Sequence, residues 1–244
     1  MDLVLDFGNT NKKIALFDEG RLLCVQSHKR ITIKLLRNLE THYPGISSCI
    51  LSSVVHVPVS LQRFLERHFR LLLLDENTLV PVRNRYLSPE TLGKDRLAAA
   101  VAGYHEFPGQ PVLVINAGTA ITYDLVTAEG DYTGGSITPG MNMRFKALHT
   151  FTRKLPLVSY RETGPGPGND TESSLLTGVV NGIVAEMEGI SKAWEQEYPG
   201  LKIILSGGDM NYFVNRLKIN IFAIPNIVIH GLHQILRFND QKPL

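Results

Sequence analysis

The first residues that could do chemistry form one run, Asp6-Phe7-Gly8-Asn9-Thr10-Asn11-Lys12-Lys13, where an apolar stretch ends and another begins. Gly8 admits the backbone angles of a tight turn and lets a ligand approach the main chain. Asn9, Thr10 and Asn11 offer donors around it, and Lys12 and Lys13 add charge. Such a turn can hold phosphates through backbone N–H groups and short polar side chains. Asp6, at the strand end, can hold Mg²⁺ through water, because Mg²⁺ keeps part of its hydration shell. An ordinary Gly-Asn hairpin would read the same way. A second turn, Asn116-Ala117-Gly118-Thr119-Ala120-Ile121-Thr122, tips the balance. Two facing glycine turns make a cleft that grips a polyphosphate from both sides, and an isolated hairpin gives no reason for the pairing.

Gly93-Lys94-Asp95-Arg96 precedes Leu97-Ala98-Ala99-Ala100, a start of strong helix propensity. Asp95 therefore falls at or near a helix N-terminus, and two readings are open. It is a cap, worth about 1 kcal/mol, or a base that accepts a hydrogen bond from a substrate hydroxyl. In the second reading Arg96 holds an anionic group of that substrate in a fork. Gly134 to Gly140 reads either as a close backbone approach to the cleft or as a plain turn into a helix, and Ser206-Gly207-Gly208-Asp209 either as a nucleoside contact at a helix N-terminus or as a plain strand-to-helix turn. The eight histidines lack partners at metal-site spacing. No Gly-x-Ser-x-Gly elbow, Cys-x-x-Cys pair or Walker loop occurs.

The elements that must position these residues are written twice. Leu3, Val4, Gly8, Glu19 and Gly20 recur as Leu113, Val114, Gly118, Glu129 and Gly130, with Leu16 against Val126 and Asp6 against Asn116. Each copy reads as a three-stranded meander, at 2–28 and 111–138. Ile50-Leu51-Ser52 recurs as Ile204-Leu205-Ser206, each followed by a helical stretch, 58–69 and 210–217. The expected fold is α/β, two duplicated halves that each carry a mixed sheet and helices, with the cleft between them. The halves are 1–110, including a crossing helix from Asp95 to Tyr104, and 111–244, including an inserted helix at 171–195. Further helices are expected at 141–149 and 226–238.

Composition narrows the function. Of 244 residues, 43% are hydrophobic and 20% charged, enough for two cores. A net charge of +2 without a basic block excludes a nucleic-acid or membrane-surface partner. Cys24 and Cys49 sit in apolar stretches and read as small buried hydrophobes of a reducing compartment. With acids at Asp2 and Asp6 the N-terminus is not read as a signal peptide, and the expected location is the cytoplasm.

Asp6-Phe7-Gly8-Asn9-Thr10, Gly93-Lys94-Asp95-Arg96, Ala117-Gly118-Thr119-Ala120-Ile121-Thr122, Gly135-Ser136-Ile137-Thr138-Pro139-Gly140 and Gly168-Asn169-Asp170-Thr171 resemble, in order and spacing, type III pantothenate kinase of the actin-like (ribonuclease H-like) kinases. The resemblance runs to Ser206-Gly207-Gly208-Asp209 and implies transfer of the ATP γ-phosphoryl group to the 4′-hydroxyl of pantothenate, opening coenzyme A synthesis. It implies that Asp6, Phe7, Gly8, Asn9, Thr10, Asn11, Lys12, Lys13 and Thr119 bind ATP, that Asp95 is the base, and that Tyr86, Gly93, Lys94, Asp95, Arg96 and Thr171 bind pantothenate. It further implies a homodimer, Mg²⁺, and a monovalent cation, K⁺ or NH₄⁺. The family commonly has Asp where this chain has Asn116, a position that contributes to the monovalent-cation site. Asn keeps a carbonyl ligand and loses the charge, which puts the cation requirement in question. The alternatives are another actin-like kinase acting on a sugar or acid, and a nucleotide-binding regulator without catalysis.

Gly178, Gly182, Ala185 and Gly189 share one face of the inserted helix. This stripe either packs tightly on the half's own sheet or meets a second copy of the chain.

Overall fold

The computed structural model describes residues 1–240. The chain runs β1 (Asp2–Phe7), β2 (Lys12–Asp18), β3 (Arg21–His28), α1 (Ile33–His42), β4 (Ser48–Ser53), α2 (Val59–His68), β5 (Arg70–Leu73), β6 (Arg83–Asn84), a 3₁₀ turn (Pro89–Thr91) and α3 (Lys94–Glu106). It continues β7 (Val112–Ala117), β8 (Ala120–Val126), β9 (Asp131–Pro139), α4 (Met141–Phe151), α5 (Thr171–Glu197), β10 (Lys202–Ser206), α6 (Met210–Phe213), β11 (Phe222–Ala223) and α7 (Ile227–Asp240). Two compact units result: Met1–Ala102 together with the described residues from Val228 onward, and Gly103–Ile227.

In the first unit the strands lie in the order β3-β2-β1-β4-β5. β1 is antiparallel to β2 and parallel to β4. Leu3, Val4 and Leu5 of β1 are fully buried in succession, as a central strand covered on both faces requires. Leu36 of α1 and Leu65 of α2 pack into the core with Leu3, Leu5 and Phe7. Thr32 caps α1 by accepting the Leu35 N–H at 3.2 Å. The last helix closes this unit. On α7, His233 Nε2 donates to Asp2 Oδ2 at 2.9 Å and stacks on Phe17 with ring centroids 3.9 Å apart. A side chain at Gly231 would collide with the Ala98 carbonyl of α3, so only glycine lets these helices meet.

In the second unit the strands β11-β10-β7-β8-β9 repeat that order, with β7 antiparallel to β8 and parallel to β10. The register repeats too. Asp6 stands opposite Ser52 and Lys13, and Asn116 opposite Ser206 and Thr122. The duplication expected from sequence is therefore present strand for strand. The inserted helix is α5, 27 residues long, started by Asp170 in a capping box with Ser173. Its Val180, Ile183 and Met187 join Leu113, Ile115 and Tyr123 in this unit's core.

Two expectations need correction. The helix placed at 210–217 is only Met210–Phe213, and the chain then turns, Arg216 N–H bonding to the Phe213 carbonyl. The small-residue stripe of α5 does not pack on its own sheet. Gly178, Gly182, Ala185 and Gly189 are exposed, and a methyl added at any of the three glycines would meet nothing.

Candidate active site

The first glycine turn leaves β1 at Phe7 and re-enters the sheet at Lys12. It is closed by Gly8 N–H to the Asn11 carbonyl at 3.1 Å, with Asn9, Thr10 and Asn11 exposed at its tip. Strand alternation divides its residues. Phe7 is buried in the core, and the Lys12 ammonium lies 5.8 Å from the Phe7 ring centroid. Lys13 is instead the cross-strand partner of Asp6. The eight-residue run thus splits: Asp6 and Lys13 are paired on one face, while Phe7 and Lys12 serve the other.

Asp6 is partly buried. Burial, and then the negative charge of Asp95, push its carboxyl up to about 6, with Lys13 pulling the other way. Two carboxylates are therefore electrostatic neighbours in this unit. Asp95 is the second residue of α3, inside the first turn rather than ahead of it, and its Oδ1 accepts the Arg96 N–H at 2.9 Å. That bond occupies one carboxylate oxygen with an N–H of the first turn. A side chain at Gly93 would press on that Oδ1, which gives the glycine a reason. Arg96 is 5% exposed, and its guanidinium carbon lies 5.7 Å from the centre of the Tyr86 ring. Tyr86 N–H is fixed by Asn84 Oδ1 at 3.0 Å. Lys94 points elsewhere. It lines a small cavity of about 70 Å³ with Asp75, Thr78 and Glu90. The structure so gathers Asp6, Lys13, Asp95, Arg96 and Tyr86 and leaves the Lys94 side chain apart.

In the second unit the Gly118 turn is closed by Gly118 N–H to the Ala120 carbonyl at 3.0 Å. Both glycine-rich motifs left open by sequence converge on it. A side chain at Gly140 would collide with the carbonyls of Gly118 and Thr119, and Gly140 N–H bonds Thr119 O at 3.1 Å. Gly207, at φ +101°, lies against the backbone of Ala117, and Asp209 N–H bonds the Ala117 carbonyl at 3.0 Å. Burial raises the Asp209 carboxyl above its ordinary value. Asn116 sits in the register position of Asp6, and its cross-strand neighbour Thr122 has a buried hydroxyl without a hydrogen-bond partner among the described residues.

Thr171 opens α5 and lines a groove of about 1140 Å³ against α4, walled by Met143, Leu148, Phe151 and Leu175. Sequence reasoning missed one cluster here. Glu186 of α5 accepts from Tyr123 Oη at 2.8 Å, Thr138 Oγ1 at 2.7 Å and Arg144 Nη2 at 2.7 Å. Its members are 42 or more positions apart in three of the four pairings with Glu186 and the strands, so no local spacing signals it. Among the described residues no helix is long and apolar enough to cross a membrane, and no group of three or more His, Cys, Asp or Glu could hold a metal ion.

Residues 2–193 match the sequence profile of type III pantothenate kinase. A protein of that name from Christiangramia forsetii is 44% identical over 243 residues, covering 99% of this chain and all of the relative. Another, from Phocaeicola vulgatus, is 43% identical over 242 residues at the same coverage. Among solved structures, a Sinorhizobium meliloti protein described provisionally as a 2-dehydro-3-deoxygalactonokinase superposes with TM-score 0.61 at 14% identity, covering 99% of this chain and all of that one.

Proposed function

The chain belongs to the type III pantothenate kinase family, and from that premise we propose how its residues divide the ATP-dependent phosphorylation of pantothenate that opens coenzyme A synthesis. Asp95 takes the proton of the 4′-hydroxyl as that oxygen attacks the γ-phosphorus of ATP. ADP leaves with the electron pair of the broken P–O bond. Little covalent chemistry falls to the protein, so alignment and charge are most of its work. The grouping of Asp95, Arg96 and Tyr86 in one unit carries this reading. Arg96, nearly buried and set on an aromatic face, is placed to fork a carboxylate such as that of pantothenate. Gly93 keeps space beside the base. Thr171, at an exposed helix start in an apolar groove, is a further polar group that the family assigns to pantothenate.

Asp6, Lys13 and the Gly8–Asn11 turn are assigned to ATP, and the family assigns Thr119 to it as well. Asp6 fits Mg²⁺: two neighbouring carboxylates with one lysine are short of positive charge. A cation held partly by water and phosphates needs no all-protein cage. Bound there, Mg²⁺ would neutralise and order the phosphates. A monovalent ion would find neutral oxygens at Asn116 and Thr122, which suit K⁺ without demanding it. The exposed stripe of α5 supports a homodimer, and a monomeric parent by sedimentation, or an unchanged dimer in Gly182→Leu, would count against that face. Two free thiols and this reaction support a cytoplasmic location.

ADP release by the purified protein with pantothenate, N-acetylglucosamine, glucose and acetate tests the assignment. Turnover confined to pantothenate is expected. Turnover with a sugar or acid alone, or with none of the four, would move the chain to another kinase or to a regulator.

A further inference from the structure

We propose that Glu186 is a positioning residue for ATP, acting through Arg144 and the Thr138–Gly140 segment on the Gly118–Thr119 turn. The inference rests on the reading of that turn as an ATP contact. Arg144 of α4 makes three bonds at once. Its Nε donates to the Pro139 carbonyl at 2.8 Å, and its Nη2 donates to Thr138 Oγ1 at 3.3 Å and to Glu186 Oε2 at 2.7 Å. Glu186 Oε1 takes the hydroxyls of Thr138 and of the buried Tyr123. The carboxylate thereby fixes the end of β9 from two sides, β8 and α4.

The next residue, Gly140, touches the turn itself. It packs on the carbonyls of Gly118 and Thr119 and donates its N–H to Thr119 O. A shift of β9 by a fraction of an ångström is therefore passed directly to the turn, since packed backbone leaves no slack. Burial opposes the charge on Glu186, yet bonds from Thr138, Arg144 and Tyr123 hold its carboxyl below the ordinary range. The clamp stays charged across the physiological pH range. Arg144 is more than a structural filler here, because its planar fork spans a carbonyl, a hydroxyl and a carboxylate.

The test is steady-state kinetics of the full-length enzyme. Glu186→Gln keeps the shape and removes the charge, and Thr138→Val removes one bond into the carboxylate. Both should raise KM for ATP, by about tenfold for Glu186→Gln, with KM for pantothenate changed less than about twofold. Glu186→Gln/Arg144→Gln should cost no more than its worse single variant, because both break one clamp. An unchanged KM for ATP in both Glu186→Gln and Thr138→Val overturns the proposal, as does a parallel rise of both KM values tracking a fall in Tm. Gly118→Ala separates the underlying reading, since the fold has room for that methyl, 3.9 Å from the nearest atom, Ala120 O. If Gly118→Ala leaves KM for ATP unchanged, the turn is not an ATP contact and the inference falls with it. If Gly118→Ala raises it and Glu186→Gln does not, the positioning role alone falls.

Discussion

The two glycine turns occupy the same place in two sheets that share an order of five strands, yet they are built differently. The first carries its chemistry in charge. Asp6, Lys13 and the neighbouring Asp95 surround a turn whose glycine meets only the Asn11 carbonyl, 3.1 Å from where a methyl would stand. The second has an amide, Asn116, in the acid's position and carries its precision in backbone packing, with Gly140 and Gly207 pressed on it. Duplication preserved the frame, and the copies then diverged. One is bordered by charged side chains and the other by packed backbone.

The largest effect should come from the charged copy. Asp95→Asn should fold normally and lose about 10²–10⁴ in kcat, read by ADP release. Near-full turnover at unchanged Tm would remove Asp95 as base, and a large loss of Tm would return it to a cap. The packed copy should break sterically. Gly207→Ala forces a Cβ into the Ala117 backbone at φ +101°, and should cost at least ~2 kcal/mol of stability. Gly8→Ala should cost less than ~1 kcal/mol. Chemical denaturation of the two variants compares them, and equal losses would erase the distinction drawn here.

How much of this was legible beforehand depends on range. The paired meanders could be read because strands of a hairpin are close in sequence. Even so, the single offset of 110 misplaced one match. The ladders set Leu16 opposite Leu3 and Leu125 opposite Leu113, so Leu16 corresponds to Leu125 and not Val126. The first turn spans Gly8 to Asn11 and the second Gly118 to Ala120, one residue fewer. A one-residue change flips the facing of a strand, which is also why Lys12 and Lys13 could not be told apart until the register was known. The helix start beside Asp95 and Arg96 was legible, but it left both the cap and the base open. The Glu186 clamp was not, because its bonds join four elements and obey no local period.

Smaller effects sharpen the ionic side. With Asp6 held near 6 by burial and by Asp95, its carboxylate forms only as pH rises through that value. Affinity for Mg²⁺ with nucleotide should therefore weaken below about pH 6. In Asp95→Asn, loss of the neighbouring negative charge lowers the Asp6 carboxyl, so the weakening should begin at lower pH. Calorimetric titration between about pH 5 and pH 8 checks it, and an identical profile in the variant would contradict the coupling. The sign for folding runs the opposite way. A carboxyl raised in the folded state adds stability at low pH that is lost as pH climbs from the unfolded value near 3.8 to about 6. The smallest effect should be Asn116→Asp, which makes the second turn resemble the first. It should steepen activation by K⁺ a few-fold (roughly twofold to fivefold) against a choline chloride background. A parent already strictly dependent on K⁺ would show that neutral oxygens suffice.

The placement of α7 has a consequence for how the chain is made. The first unit is assembled from both ends of the sequence, and the buried Asp2–His233 contact joins residues 231 positions apart. The second unit is one uninterrupted stretch. During synthesis from the N-terminus, β1 and its neighbours emerge first but lack the helix that closes over them. The stretch from Gly103 to Ile227 is made before α7 leaves the ribosome. Order of synthesis and order of completion are then reversed: the unit begun first is closed only once α7 has been made.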